Sequence, residues 1–269
     1  MTALNFQVLD DIQSLQPAEL ISELNGIVLN ELGPAFELLF MNRASAELLL
    51  GSARMSATNL SLRNLWSSQG GLVNSDFRES EIIRVPQSLD AIDSPAWTSF
   101  LLRAQRAAAA SGVVKNLSQA LVGTLEEMAE NVIWHSSAAQ TGLAGYRWEP
   151  GMFEYCVGDS GIGVLDSLRL NPIYVDVEEP IEALHLALKN GVSRFCADNR
   201  RGTGFNNLIR NIVKNCCDLR FHTHDAVVEY AGITSCLSGD PIRVKDFTAS
   251  ILRGFTISLS CKSNPGIAT

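Results

Sequence analysis

Apolar residues recur every three or four positions through much of the second half of the chain. Val114, Leu117, Leu121, Leu125, Met128 and Val132 line one side of a helix predicted over 114–136. WTSFLLRAQRAAAAS at 97–111 predicts a preceding helix that ends at Gly112. EPIEALHLALKNG at 179–191 predicts another, with Pro180 near its start and Gly191 past its end. One more is predicted from about 205 to 215. Strands are predicted at FEYCV (153–157), LRFHTH (219–224), AVVEYAG (226–232) and GFTISLSCK (254–262). Earlier in the chain, 17–30 and 35–50 read as helices, and Ile82, Ile83 and Val85 as a short strand. Helices followed by antiparallel-looking strands predict an α+β class, with helices on one face of a mixed sheet.

Composition narrows this little, but charge changes the picture. With 46% apolar and 19% charged residues, the chain has the makings of a packed core and not of a disordered one. The formal net charge is -8, which disfavours a duplex-DNA gripper and sets the expectation of no nucleic-acid partner. Residues 1–95 hold five Arg, no Lys and twelve acids, so nearly all the excess lies there. That asymmetry, with Pro86 and Pro95 bracketing a polar stretch, predicts an acidic N-terminal unit (1–95) of unknown role and a second domain (96–264). No apolar run is long enough to span a bilayer, and the N-terminus lacks a signal-peptide pattern, so a cytoplasmic protein is expected. Six cysteines without a C-x-x-C pair read as small buried apolar residues.

Three segments carry candidate chemistry. Glu127 and Asn131 stand four apart, on one helix face displaced from the apolar stripe. A carboxamide oxygen at Asn131 can ligate Mg²⁺, and Glu127 can orient or deprotonate a nucleophile. A solvated helix face carries the same pattern. Asp159-x-Gly161-x-Gly163 follows a predicted strand directly. Glycines there let the backbone turn and a flat ligand approach, and the aspartate can accept a hydrogen bond from an exocyclic amine such as adenine N6. A tight turn of the same composition is the plain alternative. Finally, Arg200, Arg201, Gly202, Thr203, Gly204 and Phe205 open a predicted helix, whose N–H groups and flanking arginines suit an anion. The segment is neither a Walker A loop nor a dinucleotide fingerprint.

In this order the three segments resemble the GHKL ATPase superfamily, which includes gyrase, histidine kinases and the mismatch-repair ATPase. LEEMAENVIWHS resembles the N box, VGDSGIGV the G1 box and RRGTGFNNL the G2 box. The resemblance covers roughly residues 97–262. It implies a two-layer α/β sandwich of the GHKL type that holds ATP between the long helix, the G1 turn and a lid. It further implies Asn131 as the Mg²⁺ ligand, Glu127 as the base and Asp159 as the adenine-binding acid. Gly161 and Gly163 would shape the base pocket and Gly202 and Gly204 the phosphate loop. Thr256 would match a threonine near the nucleotide. The lid would span 164–201, and Arg194, Arg200 and Arg201 could reach the γ-phosphate from it.

No histidine precedes His135, so a histidine autokinase with its own acceptor helix pair upstream is excluded. The chain is similar to stand-alone bacterial ATPases of the anti-sigma-factor type. The expected function is that of an Mg-ATP-binding regulatory protein in signal transduction: a serine/threonine protein kinase or ATPase acting on a separate partner, possibly of STAS type. The alternative is an ATP-gated binding switch without phosphoryl transfer. His222 and His224 alternate on a predicted strand, with no acid or Cys at ligand spacing.

Overall fold

The computed structural model describes residues 2–3, 5–13, 27–28, 31–41, 80–189, 192, 215, 217–233 and 243–263. The long apolar stripes form helices as expected. Helix α3 (Pro95–Ala110) begins at Ser94, whose Oγ accepts the Trp97 N–H at 3.4 Å, with Pro95 in the first turn. Helix α4 (Lys115–His135) buries Leu121, Leu125, Met128 and Val132. Strands β3 (Ser80–Arg84), β4 (Leu143–Glu149), β5 (Met152–Asp159), β6 (Cys217–Ala231) and β7 (Arg243–Lys262) form one sheet in the order β3-β4-β5-β7-β6. Every pairing in it is antiparallel, which corrects the mixed sheet expected from the sequence.

Two predicted strands, 219–224 and 226–232, are one. Strand β6 runs through both, with a bulge at His224, whose φ is 51°. Strand β7 starts at Arg243, well before the predicted 254. Strand β4 and a short helix α5 (Gly163–Arg169) arise where no element was predicted, and α6 (Pro180–Ala187) forms within the predicted 179–191. The helix predicted at 205–215 lies outside the described residues, Asn215 apart.

One face of the sheet carries Phe153, Tyr155, Val157, Leu219, Phe221, Ile257 and Leu259, packed against α3, α4 and α6. The opposite face is also covered. Helix α1 (Phe6–Gln13) and helix α2 (Leu32–Met41) pack there with Ile82, Cys156 and Leu252. Helices therefore lie on both faces, and not on one. Strands β1 (Thr2–Ala3) and β2 (Ile27–Val28) pair in parallel; β2 replaces helix at 27–28 of the expected 17–30, and the rest of that expectation lies outside the described residues.

The charge boundary at residue 95 is not a boundary of the sheet. Strand β3 pairs with β4 along its whole length. Glu81 of β3 takes two hydrogen bonds from Arg103 of α3, at 2.7 and 2.8 Å, and a third from the Tyr146 hydroxyl at 3.1 Å. A bidentate, largely buried guanidinium–carboxylate pair is among the stronger polar ties available. Three cysteines that fall in the described residues, Cys156, Cys217 and Cys261, are free and buried. No helix among the described residues is long and apolar enough to cross a membrane.

Candidate functional site

The last residue of β5, Asp159, points to the face covered by α4, because it shares parity with Val157 and Tyr155 in the core. Its side chain is almost fully enclosed, at 3% exposure. One oxygen, Oδ1, accepts the Gly161 N–H at 2.7 Å. Burial pushes the carboxyl up to about 7, against the opposing pull of that single hydrogen bond. Among the described residues no cation stands beside this buried acid, which is the electrostatic condition of a group awaiting a donor.

The turn after Asp159 is fixed by the C-terminal end of α4. Ile162 N–H donates to the Ser136 carbonyl at 2.9 Å, and Ser160 N–H to the Thr141 hydroxyl at 3.0 Å. A Cβ on Gly161 would lie 2.1 Å from the Ser136 oxygen, so only glycine fits. Gly163 has φ 74° and opens α5. The next amide, Val164 N–H, donates to Thr223 Oγ1 at 3.1 Å, and the Thr223 hydroxyl donates onward to Gly254 O at 2.8 Å.

Glu127, Asn131 and His135 follow one another at single-turn spacing on α4. The last of them meets α5, where Ser167 Oγ lies 3.4 Å from His135 Nδ1. That contact sets the His135 end of the stripe against α5. Glu127 is partly buried, and burial followed by the neighbouring Glu130 charge raises its proton affinity above the ordinary carboxylate. Its charge is also felt by the buried Tyr155 hydroxyl, which Thr124 binds at 2.9 Å. Asn131 Nδ2 makes only a long 3.8 Å contact with Met128 Sδ. Among the described residues its amide oxygen accepts no hydrogen bond, so an oxygen donor is free for a hard cation. No group of three or more His, Cys, Asp or Glu among the described residues can hold a metal by itself.

Thr256 is not part of this arrangement. It pairs with Gly158 and His222, on the face opposite Asp159. A Cβ on Gly158 would meet Thr256 Cγ2 at 2.8 Å and Phe40 of α2 at 2.6 Å, so Thr256 looks into the second layer. It is 2% exposed and its hydroxyl has no hydrogen-bond partner among the described residues. The threonine on the Asp159 face is Thr223, one residue beyond His222 on the neighbouring strand. It stands level with Asp159, since both are in register with Phe255. Its parity with Leu219 and Phe221 is the sequence signal by which it could have been found. The expected anion segment, Arg200, Arg201, Gly202, Thr203, Gly204 and Phe205, lies outside the described residues, as does Arg194.

No protein-family model, curated protein or solved structure matches the chain. The site is accordingly read from its own residues.

Proposed function

We propose that the chain is an Mg-ATP-binding regulatory protein of the GHKL type, with phosphoryl transfer to a hydroxyl of a separate protein partner, or to water, as its reaction. The observation that carries the proposal is Asp159: a buried carboxyl at a strand end, with no cation beside it among the described residues, opening a glycine turn that admits no side chain at Gly161. An exocyclic amine donating to the free Asp159 oxygen would supply the partner the buried acid lacks. At Gly161 and Gly163 the side-chain space is taken by the Ser136 carbonyl and the His224 ring, so these glycines set the shape of the turn against which a base would lie.

Asn131 supplies one oxygen ligand, which suits an ion that completes its shell with phosphate oxygens and water. Bound there, Mg²⁺ would neutralise charge on the phosphate oxygens. Glu127 stands one turn along the same helix edge. As base it takes the proton of the attacking hydroxyl while the new P–O bond forms and ADP leaves with the electrons of the old one. Its raised proton affinity brings it closer to the working range of a general base. Arg200 and Arg201 are proposed as the phosphate partners with Gly202, Thr203, Gly204 and Phe205.

Calorimetric titration with ATP and ADP, with and without Mg²⁺, tests the reading. Saturable binding that Asp159→Asn abolishes, and whose Mg²⁺ dependence Asn131→Ala removes, supports it. No binding of either nucleotide at millimolar concentration sinks it. Binding without turnover or transfer in the native chain, unchanged in Glu127→Gln, would favour the ATP-gated switch.

A further inference from the structure

The second face of the sheet holds a buried ionic cluster that the proposed site does not use. Arg220 of β6 donates to Glu37 of α2 twice, at 2.8 and 3.1 Å, and to Asp10 of α1 at 2.9 and 3.3 Å. It also reaches Glu229 at 2.5 Å and lies 4.4 Å over the Phe6 ring. Two residues on, His222 is fully enclosed. Its Nδ1 donates to Glu37 Oε2 at 3.0 Å, and its Nε2 donates to the carbonyls of both His224 and Ser250 at 3.1 Å. All three partners are acceptor oxygens, and His222 with Arg220 favours the ionised form of Glu37.

The carbonyl of His224 belongs to the bulge that interrupts β6. The His224 ring lies against the glycine turn: a Cβ on Gly163 would sit 2.7 Å from His224 Cε1 and 2.9 Å from Thr223 Oγ1. A contiguous path therefore runs from Glu37 through the His222 ring to the His224 backbone, and from the His224 ring to Gly163. Its two ends lie on opposite faces of the sheet. A bulge disrupts the ladder locally, and here His222 bonds the carbonyl of the bulge residue His224.

We propose that His222 is a positioning residue that couples the docking of α2 to the turn at Gly161–Val164, so that loss of the Glu37 contact loosens that turn. The inference rests on the reading of this turn as a nucleotide site for its regulatory meaning, but the coupling itself does not. Helices α1 and α2 would then control nucleotide affinity, and nucleotide would in turn tighten α2, as linkage requires.

Amide hydrogen exchange resolved at Gly161, Ile162 and Val164 reads the coupling directly, because each N–H has a defined acceptor. Glu37→Gln and His222→Gln are expected to speed exchange at these amides, and to weaken ATP binding, by about fivefold or more. Asp10→Asn serves as the control. It loosens the same cover through Arg220 without touching His222, and should change turn exchange by less than about twofold. Unchanged turn exchange in folded Glu37→Gln overturns the proposal, and so does an equal response to Asp10→Asn. If the variants do not fold, the native chain decides: ATP must slow exchange in residues 32–41 as well as in the turn, and protection confined to the turn refutes the coupling. If the native chain binds no nucleotide, the proposed function fails, while the Glu37→Gln exchange result still judges the coupling.

Discussion

The Ser136 carbonyl, at the C-terminal end of α4, accepts the Ile162 N–H and stands where a Cβ on Gly161 would be, 2.1 Å away. Helix end and turn are thus in backbone contact, with no side chain between them. Gly161→Ala must push the turn off α4, breaking the Ile162 bond and moving Asp159 with it. A loss of about 1–3 kcal/mol in stability is expected, the usual cost of overpacking, together with loss of nucleotide binding. Urea titration and calorimetry measure the two. Wild-type stability and affinity in Gly161→Ala would show that the turn stands clear of the helix.

Asp159 predicts a conflict between stability and binding. Its folded pKa is raised from 3.8 to about 7, so the folded state binds the proton more tightly than the unfolded one. Stability from this group therefore falls as pH rises from about 4 to about 7 and stays low above that. Asp159→Asn removes the penalty, so the variant should be more stable than the native chain at pH 8, by as much as about 4 kcal/mol, and little different at pH 4. An amine donor prefers the ionised form. Native ATP affinity should then fall by roughly tenfold per unit below pH 7, and level off above it. Melting curves at the two pH values and titrations across the range provide the check. An Asp159→Asn variant less stable at pH 8 contradicts the assignment.

Thr223 and Thr256 should respond in opposite ways. Thr223→Val leaves the Val164 N–H and the Gly254 carbonyl without the hydroxyl that joins them, at a cost of about 1–3 kcal/mol. Nucleotide affinity should fall as the start of α5 loosens. Thr256→Val replaces an unpartnered buried hydroxyl with a methyl of similar shape, and should stabilise by up to about 1 kcal/mol. It should leave nucleotide affinity unchanged. Denaturant midpoints compare the pair, and a binding defect confined to Thr256→Val would reverse the assignment of faces.

That reversal marks the limit of what the sequence could tell. Helices α3 and α4 were legible because their apolar stripes are local features, although α3 starts at Pro95 and not at the expected Trp97. The glycine turn was legible for the same reason. Strand faces are not local in this sense: a shift of one residue in register moves a side chain through the sheet. The resemblance placed Thr256 by its position along the last strand, whereas pairing with Gly158 turns it away. Strand β4 escaped notice although Ala144, Tyr146 and Trp148 alternate with Gly145, Arg147 and Glu149, because a glycine and two charged residues in seven positions weaken the strand signal. The outer half of β7 (Arg243, Lys245, Asp246) reads as loop because its ladder with β6, and not burial, defines it. The second layer was illegible for a related reason. Glu37 sits in the middle of an apolar helix, and the Arg220 that balances it lies far along the chain.

Glu37 yields the last prediction. Burial alone would raise its pKa, but the His222 charge and then that of Arg220, with hydrogen bonds from both, hold it below the ordinary value of 4.5. A carboxyl with a depressed folded pKa stabilises above its unfolded pKa and loses that contribution as pH falls through the folded one. The docking of α2 should therefore weaken below about pH 4.5, in the range opposite to the one governed by Asp159. Glu37→Ala removes one partner and leaves the Arg220 and His222 charges enclosed, at a cost of about 3–5 kcal/mol at neutral pH. Glu37→Leu with Arg220→Met and His222→Leu removes the buried charges together and should recover most of that loss, because it is the unpaired charge and not the missing pair that is costly. Denaturant midpoints of the native chain, Glu37→Ala and the triple variant at pH 7 measure the difference. A triple variant no more stable than Glu37→Ala would mean that the cluster stabilises through its attraction, and not merely by avoiding an unpaired charge.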